Sequence, residues 1–283
     1  MSFDADPLYN EKNAFYKGQF QTVIDDASSK EGAEALVLRA KVELNAQKCT
    51  KELKSTKDDI SQAAYALALH KTGNTTEALK IADKLAGSDN PDVQIIIATV
   101  FARDSERVED AIDVLNSIED SLEAVALLIQ VYLSTNQLSS AQSTLQSAKS
   151  WAQDAELIQL AEMWVSLRAG GTDAYQNAFY TAQEFADTTG SPVRMLLAQS
   201  VIEIQLGRYD EAEGTLLQVL NKDPSSPDAL ANQVVLWTLL GRDTAPIVEK
   251  LKSVDASHPL VQQIEEKASE FDSCAANYTF VEA

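Results

Sequence analysis

The sequence has little of what disulfide-rich and metal-binding proteins use. Its 283 residues include only 2 cysteines, 2 histidines, 10 glycines and 7 prolines. Cys49 and Cys274 form no CxxC pair, so neither a disulfide framework nor a metal site is predicted. The shortage of glycine and proline excludes a collagen-like or loop-rich chain. Because 45% of the residues are apolar, the chain can bury a sizeable core.

Basic residues are also scarce. The chain has 23 Lys and Arg against 43 Asp and Glu, which gives a formal net charge of −20. Such a surface repels phosphate backbones and anionic lipid headgroups, so we expect neither nucleic-acid binding nor unaided membrane docking. The excess acid has two interpretations: it keeps the chain soluble, or it meets a basic partner protein.

Long apolar runs are missing. The longest apolar stretch, 95–102, is far shorter than the ~20 residues that a membrane-spanning helix needs. The first residues, 1–7, have neither the basic segment nor the apolar segment of a signal peptide. We therefore expect a soluble cytosolic protein, whose association with a membrane would be indirect.

Catalytic motifs are absent as well. The sequence contains no HExxH, P-loop, GxSxG or dinucleotide-type glycine pattern. His70 and His258 are far apart, and the paired acids, such as Glu265 and Glu266, are typical of solvated helix faces. An enzyme would need an unrecognised pocket of titratable groups, so the prediction is a non-enzyme without cofactor or metal.

What the sequence does contain is helical periodicity. Apolar residues recur at spacings of three and four, as at Val125, Leu128, Ile129 and Tyr132, and turn residues separate segments of roughly 12–16 residues. A longer period is clearest in 193–226, which resembles a tetratricopeptide repeat. Its turn, close-approach, contact and stop positions are Gly207, Tyr209, Ala212, Leu216, Val219 and Pro224.

The close-approach alanine measures the repeat along the chain. Equivalents occur at Ala78, Ala111, Ala141, Ala178, Ala212 and, less regularly, Ala245, in steps of 33, 30, 37, 34 and 33 residues. Near the N-terminus, Gly18 makes the turn and Val23 takes the close-approach position, whereas 31–55 forms a poorly matching pair of helices. The prediction is an all-α fold of tetratricopeptide-like helical hairpins, stacked over 1–283 into a right-handed superhelix, or α-solenoid.

The first helix of each hairpin lines the concave wall of such an array. The repeat frame places eight candidate partner-binding residues there: Leu67, His70, Ile96, Val100, Arg103, Ile158, Val165 and Arg168. Most are apolar, which is typical of an interaction surface. The alternative is that the superhelix buries these side chains against itself, and the sequence leaves both interpretations open.

Two further features separate functional classes. Co-chaperone tetratricopeptide domains hold a terminal carboxylate with basic and amide side chains, but here Arg103 and Arg168 are the main polar candidates, so a receptor for peptide tails is only the alternative function. At the C-terminus, the pattern predicts one helix over 260–271 within a capping segment at about 255–283. Tyr278, Phe280 and Val281 would pack on the body or on a partner.

Four segments resemble the epsilon subunit of the COPI coatomer in order and spacing. They are 8–18, 157–187 with its Trp164 helix and double glycine, 207–214, and 257–272. Between about 31 and 121 the resemblance is weak, and only the periodicity applies.

The resemblance implies a non-catalytic subunit of the heptameric coat. In that family, epsilon binds the C-terminal domain of the alpha subunit, and its repeats curl around an extended piece of alpha. It also implies a place on Golgi membranes and COPI vesicles, where an Arf-family GTPase recruits the coat, and a role in retrograde Golgi-to-ER and intra-Golgi transport. The apolar inner wall would suit an extended segment of a partner.

Overall fold

The protein is described by a computed structural model that covers residues 6–188 and 190–278. Sixteen α-helices and no strand lie within this part of the chain, so the predicted all-α class is confirmed. Phe280 and Val281, for which packing was predicted, lie outside the described residues. By its internal contacts the chain divides into two compact units, Met1–Thr181 and Ala182–Ala283. The predictions of one continuous array and of a C-terminal cap stay predictions.

The helices follow one another at short intervals. The first unit contains α1 Tyr9–Tyr16, α2 Phe20–Ala27, α3 Glu34–Leu53, α4 Asp59–Lys71, α5 Thr75–Leu85, α6 Pro91–Ala102, α7 Val108–Asn116, α8 Leu122–Ser134, α9 Leu138–Ala152 and α10 Glu156–Ala169. The boundary between the units falls within α11, Thr172–Thr188. The second unit contains α12 Val193–Gln205, α13 Tyr209–Lys222, α14 Pro227–Leu239, α15 Ala245–Val254 and α16 Pro259–Ala275.

A left-handed residue makes the turn in most hairpins. Gly18, Gly73, Asn136, Gly207 and Gly241 all have φ between 62° and 87°, a region that glycine and asparagine tolerate best. In each case the next amide donates to the carbonyl five residues earlier, as Arg208 N does to Glu203 O at 2.9 Å. This bond closes a Schellman motif, which satisfies the last carbonyls of the first helix and turns the chain into the second.

Side chains cap the beginnings of several first helices. The Asp58 carboxylate accepts from Ser61 N at 2.8 Å, and the Ser121 hydroxyl accepts from Ala124 N at 3.2 Å. Asn90 and Ser226 cap α6 and α14 just before a proline, which is preorganised for the first helical position. The capping residues therefore determine where these hairpins begin, and the left-handed residues determine where they turn.

The two helices of a hairpin are buried differently. Second helices are amphipathic: α9, for example, buries Ala141, Leu145, Ala148 and Ala152, one stripe at spacings of three and four. First helices bury residues on several faces, as α6 does with Val93, Ile95, Ile96, Ile97, Ala98, Val100 and Phe101. First helices therefore form the interior layer, and second helices form the outer one.

The predicted alanine positions are confirmed with one exception. Ala78, Ala111, Ala141, Ala178 and Ala212 are at most 2% exposed, and Val23 is fully buried in α2. The prediction for Ala245 is wrong, because this residue is exposed at the first position of α15 and Ile247 is buried instead. The turn after Gly241 is longer than after the other four left-handed turn residues, and Asp243 accepts from Ala245 N at 3.0 Å where α15 begins. This longer turn shifts the buried contact position along the helix.

The segment 31–55 contains the predicted pair of helices. They are the two halves of α3, Glu34–Leu53, and they meet at Asn45, where the backbone leaves the helical region with φ −154° and ψ 83°. The Asn45 side chain accepts from Lys48 N at 2.9 Å and so caps the second of the two helices. The pair is therefore joined by a kink, without the left-handed turn residue of most other hairpins.

Candidate partner-binding surface

The five apolar residues predicted for the concave wall are buried. Leu67, Ile96, Val100, Ile158 and Val165 have exposed fractions of at most 5%. Ile158 and Val165 belong to a core cluster with Ala141, Leu145 and other residues of α8 and α9. In the isolated chain these side chains stabilise the packing of neighbouring helices, and whether a partner also contacts them stays a prediction.

Helix α3 contributes to this burial in α4. Its residues Val42, Cys49 and Leu53 belong to the same core cluster as Leu67, Ile96 and Val100. Among the helix pairs of this unit, α3 packs most extensively on α4. The chain itself therefore contributes a helix to the apolar surface that the repeat frame left for a partner.

The three polar residues of the predicted set are more accessible. Arg103 Nη2 lies 3.8 Å from Glu43 Oε1, and the same carboxylate holds Lys71 Nζ at 2.8 Å. Arg168 donates from Nη2 to Asn136 Oδ1 at 2.9 Å. Burial and the nearby Arg103 charge lower the pKa of His70, so its imidazole is neutral at physiological pH. The two arginines are the cations that this set offers to an acidic partner.

Two ion pairs that the sequence did not reveal link distant hairpins of the first unit. Arg39 on α3 lies 2.5 Å from Glu123 at the start of α8, and Lys17 after α1 lies 2.5 Å from Glu156 at the start of α10. Although burial alone would lower the pKa of Arg39, the Glu123 carboxylate holds it above its usual range. Since Arg39 and Glu123 are 84 residues apart, no local pattern predicts their contact.

A cavity of about 400 Å³ lies beside these ion pairs, inside the first unit. Its walls come from α1 and from the beginnings of α6, α8 and α10, and its carboxylates are Asp6, Asp92, Glu119, Asp120, Glu123 and Glu156. Burial raises the pKa of Asp92, and the charge of Glu123 raises it further. Lys12 also lines the cavity, and Lys12, Arg39 and Lys17 pair with Asp6, Glu123 and Glu156, so three of the six carboxylates are matched by cations.

The inner wall of the second unit is more open. Val235 and Leu239 on α14 are 42% and 53% exposed, although α14 is a first helix. In the α4–α5 hairpin, Gly73 is the turn residue and Leu67 takes an inner position of the repeat frame. If Gly241 is taken as the turn residue of the α14–α15 hairpin, Val235 takes the equivalent inner position. The hairpin that turns at Gly241 supplied none of the predicted contact residues. Its frame identifies Val235, but the last inner position falls on Thr238, so the frame does not identify Leu239.

The described residues also bear on other kinds of site. Across 6–188 and 190–278, no helix is both long and apolar enough to cross a membrane. The same part of the chain contains no cluster of three or more His, Cys, Asp or Glu side chains that could hold a metal ion.

Comparison with solved structures shows the fold. A tetratricopeptide repeat protein from Parabacteroides merdae superposes with a TM-score of 0.59 at 10% identity, over 90% of this chain and 94% of that one. A chain of the APC/C hetero-tetramer Cut9-Hcn1 gives 0.63 at 15% identity, over 94% of this chain and 56% of that one. The first is a tetratricopeptide repeat protein, and both identities are low, so the two superpositions support the fold alone.

Comparison with protein sequences shows the family. The chain is 29% identical over 284 residues to the "Probable coatomer subunit epsilon" of Schizosaccharomyces pombe, covering 96% of this chain and 95% of that protein. It is 29% identical over 271 residues to "Coatomer subunit epsilon-1" of Oryza sativa subsp. japonica, covering 91% and 93%. The family model described as "Coatomer epsilon subunit" matches residues 4–279. The chain therefore belongs to the coatomer epsilon subunit family, and it is a subunit of the COPI coat.

Proposed function

We propose that this subunit is a non-catalytic scaffold that binds the C-terminal domain of the coatomer alpha subunit through the inner faces of its helical hairpins. In this role it would support retrograde Golgi-to-ER and intra-Golgi transport from the cytoplasmic face of Golgi membranes. The observation that carries the proposal is the match of residues 4–279 to the coatomer epsilon family. The exposed apolar side chains Val235 and Leu239 on a first helix support the inner faces as the binding surface.

The inner-face contact can be tested by co-purification with the alpha C-terminal domain. The Val235→Asp/Leu239→Asp variant places charge on the exposed inner wall and should bind the alpha domain at least about tenfold more weakly, because a desolvated carboxylate is costly at an interface. The matched control is Leu217→Asp on the outer helix α13, where Leu217 is 59% exposed. Equal binding by both variants would contradict an inner-face contact in the second unit.

The predicted contacts in the first unit need a different measurement. Aspartate at Leu67 or Ile96 would disrupt the core, because both side chains are buried, and lost binding would then be uninformative. Amide hydrogen exchange of the wild-type chain avoids this problem. If alpha contacts these residues and their neighbours Val100, Ile158 and Val165, protection in α4, α6 and α10 should change on binding. Unchanged exchange in all three helices would refute that part of the proposal.

The polar members of the predicted set can be substituted directly. Replacing His70, Arg103 and Arg168 by alanine removes accessible side chains and should leave the helical content intact. If the inner face of the first unit contacts alpha, this triple variant should release the alpha domain faster at moderate salt. A dissociation rate equal to that of the wild-type chain would argue against these three residues as contacts.

A further inference from the structure

The last helix of the chain, α16, carries an apolar stripe that the protein covers only at its beginning. Val261 is 2% exposed and belongs to a core cluster with Leu230, Ile247 and Leu251. Beyond it, Ile264 is 38% exposed, Phe271 72% and Tyr278 81%. Among the described helices, α16 makes only a small contact with α15.

The spacing of the stripe is that of a coiled-coil seam. Val261, Ile264, Ala268, Phe271 and Ala275 follow one another at intervals of three, four, three and four residues, and Tyr278 lies three residues past the end of the helix. Within α16 this is the a and d pattern of two heptads, and it presents one narrow apolar line to a facing helix. From Val261 to Ala275 the line extends for about 21 Å.

The charges beside the stripe indicate what kind of helix it fits. Glu265 and Asp272 occupy the e positions, directly after Ile264 and Phe271, and Lys267 occupies a g position. Glu265 already pairs with Lys252 of α15 at 2.5 Å, and Lys267 pairs with Glu270 at 2.7 Å. With Glu266, the helix carries four carboxylates against one lysine, so its net charge is negative. A facing helix would therefore gain from lysine or arginine at its flanking positions. A second copy of this chain is disfavoured, because each copy has a net charge of −20.

We infer that α16 is a docking surface for an amphipathic helix of a partner protein, with an apolar seam flanked by basic residues. Its residues lie on α16, whereas the residues proposed to bind alpha lie on α4, α6, α10 and α14. The test uses peptides in place of alpha, so its result does not depend on the alpha contact.

The probes are two synthetic three-heptad peptides with leucine at a and d, one with lysine and one with glutamate at e and g. Each is labelled with fluorescein and titrated with the full chain, and anisotropy is measured. The lysine peptide should bind at least about tenfold more tightly than the glutamate peptide, because only its charges complement Asp272 and the net negative charge of α16. Equal affinities would overturn the inferred basic partner.

A pair of variants separates seam packing from simple charge attraction. Ile264→Glu/Phe271→Glu removes two exposed apolar side chains of the stripe, whereas Gln262→Glu/Ser269→Glu adds the same charge at exposed positions outside it. Both variants should keep the helical content of the wild type. The first should weaken binding of the lysine peptide at least about tenfold relative to the second, although its added charge alone would strengthen the attraction. Equal binding by the two variants would overturn the inference.

The two cysteines locate the bound peptide. Cys274 is exposed beside the stripe, whereas Cys49 is buried. Saturating lysine peptide should slow the reaction of Cys274 with a maleimide several-fold, and an unchanged rate would mean that the peptide binds elsewhere and would overturn the inference. Sedimentation velocity tests whether a second copy of the chain occupies the stripe. If the wild type is a dimer and the Ile264→Glu/Phe271→Glu variant is a monomer, the stripe serves self-association and the inference is overturned.

Discussion

Replacing Glu123 by glutamine should destabilise the first unit strongly, because it leaves a largely buried guanidinium without its carboxylate. The side chains of Arg39 and Glu123 are only 13% and 16% exposed, and their charged atoms are 2.5 Å apart. Arg39 also lies over the ring of Phe15, with its Cζ 4.6 Å from the ring centroid. The ion pair thus links α3 to the beginning of α8, and the contact with Phe15 links α3 to α1.

The expected magnitude follows from the cost of an uncompensated buried charge. Removing one partner of a buried pair costs about 3–5 kcal/mol, whereas replacing both partners by apolar residues is often neutral or stabilising. Glu123→Gln should therefore lower the free energy of unfolding by about 3–5 kcal/mol. For a unit of this size, that corresponds to a fall in Tm of roughly 6–20 °C. The double variant Arg39→Met/Glu123→Leu should recover most of the loss.

Urea unfolding followed by far-UV circular dichroism measures both variants. The matched control is Glu270→Gln, which breaks the exposed pair with Lys267, whose side chains are 54% and 70% exposed. Exposed pairs contribute roughly 0.2–1 kcal/mol, so this control should change stability little. If Glu123→Gln costs no more than the control, or if the double variant is as unstable as Glu123→Gln, the pair does not hold these helices together.

Three further predictions concern the core, a buried acid and a turn. Ile96→Ala should cost about 2–5 kcal/mol in urea unfolding, because Ile96 is fully buried; a cost below about 1 kcal/mol would contradict its place in the core. Burial raises the pKa of Glu203 above its ordinary value near 4.5, although hydrogen bonds from Gln199 and Thr215 partly offset this. The folded state then binds a proton at Glu203 more tightly than the unfolded state does. The contribution of Glu203 to the free energy of unfolding therefore grows as the pH falls from 7 through the raised pKa. The stability of Glu203→Gln relative to wild type should therefore be more favourable at pH 7 than at pH 5, and the opposite trend would refute the buried-acid interpretation. Gly207→Ala should destabilise the protein by about 1–2 kcal/mol because φ is +72°, whereas Gly214→Ala within α13 should stabilise it by about 0.5–1 kcal/mol because alanine favours a helix. Neither added methyl meets an atom within 4 Å, so the two variants differ in backbone conformation and not in packing. Changes of the same sign would contradict the left-handed turn.

Local signals in the sequence predicted the hairpins well. The turn glycines and the close-approach alanines depend on contacts within one hairpin, where spacing along the chain determines distance in space. Ala245 shows the limit of this approach, because α15 begins four residues after Gly241 instead of two, and the buried contact lies at Ile247. The frame had no means of detecting a lengthened turn.

The candidate surface was harder to predict because it depends on distant parts of the chain. The repeat frame identified Leu67, Ile96 and Val100 as inner residues, but it could not show that α3 contributes to the same core cluster. Helix α3 matches no repeat, so its position carries no periodic signal. The same holds for Glu123, whose partner Arg39 lies in the segment where the family resemblance was weak.

The ion pair between α3 and α8 has a consequence for how the first unit folds. In a simple repeat array each unit touches only its neighbours, so folding can begin anywhere and spread. Here the 84 residues between Arg39 and Glu123 must be synthesised before the contact can form. At about 5–20 residues per second on the ribosome, Glu123 is synthesised roughly 4–17 s after Arg39. The nascent N-terminal helices therefore remain incompletely packed during translation, and the first unit should complete its folding as one cooperative block.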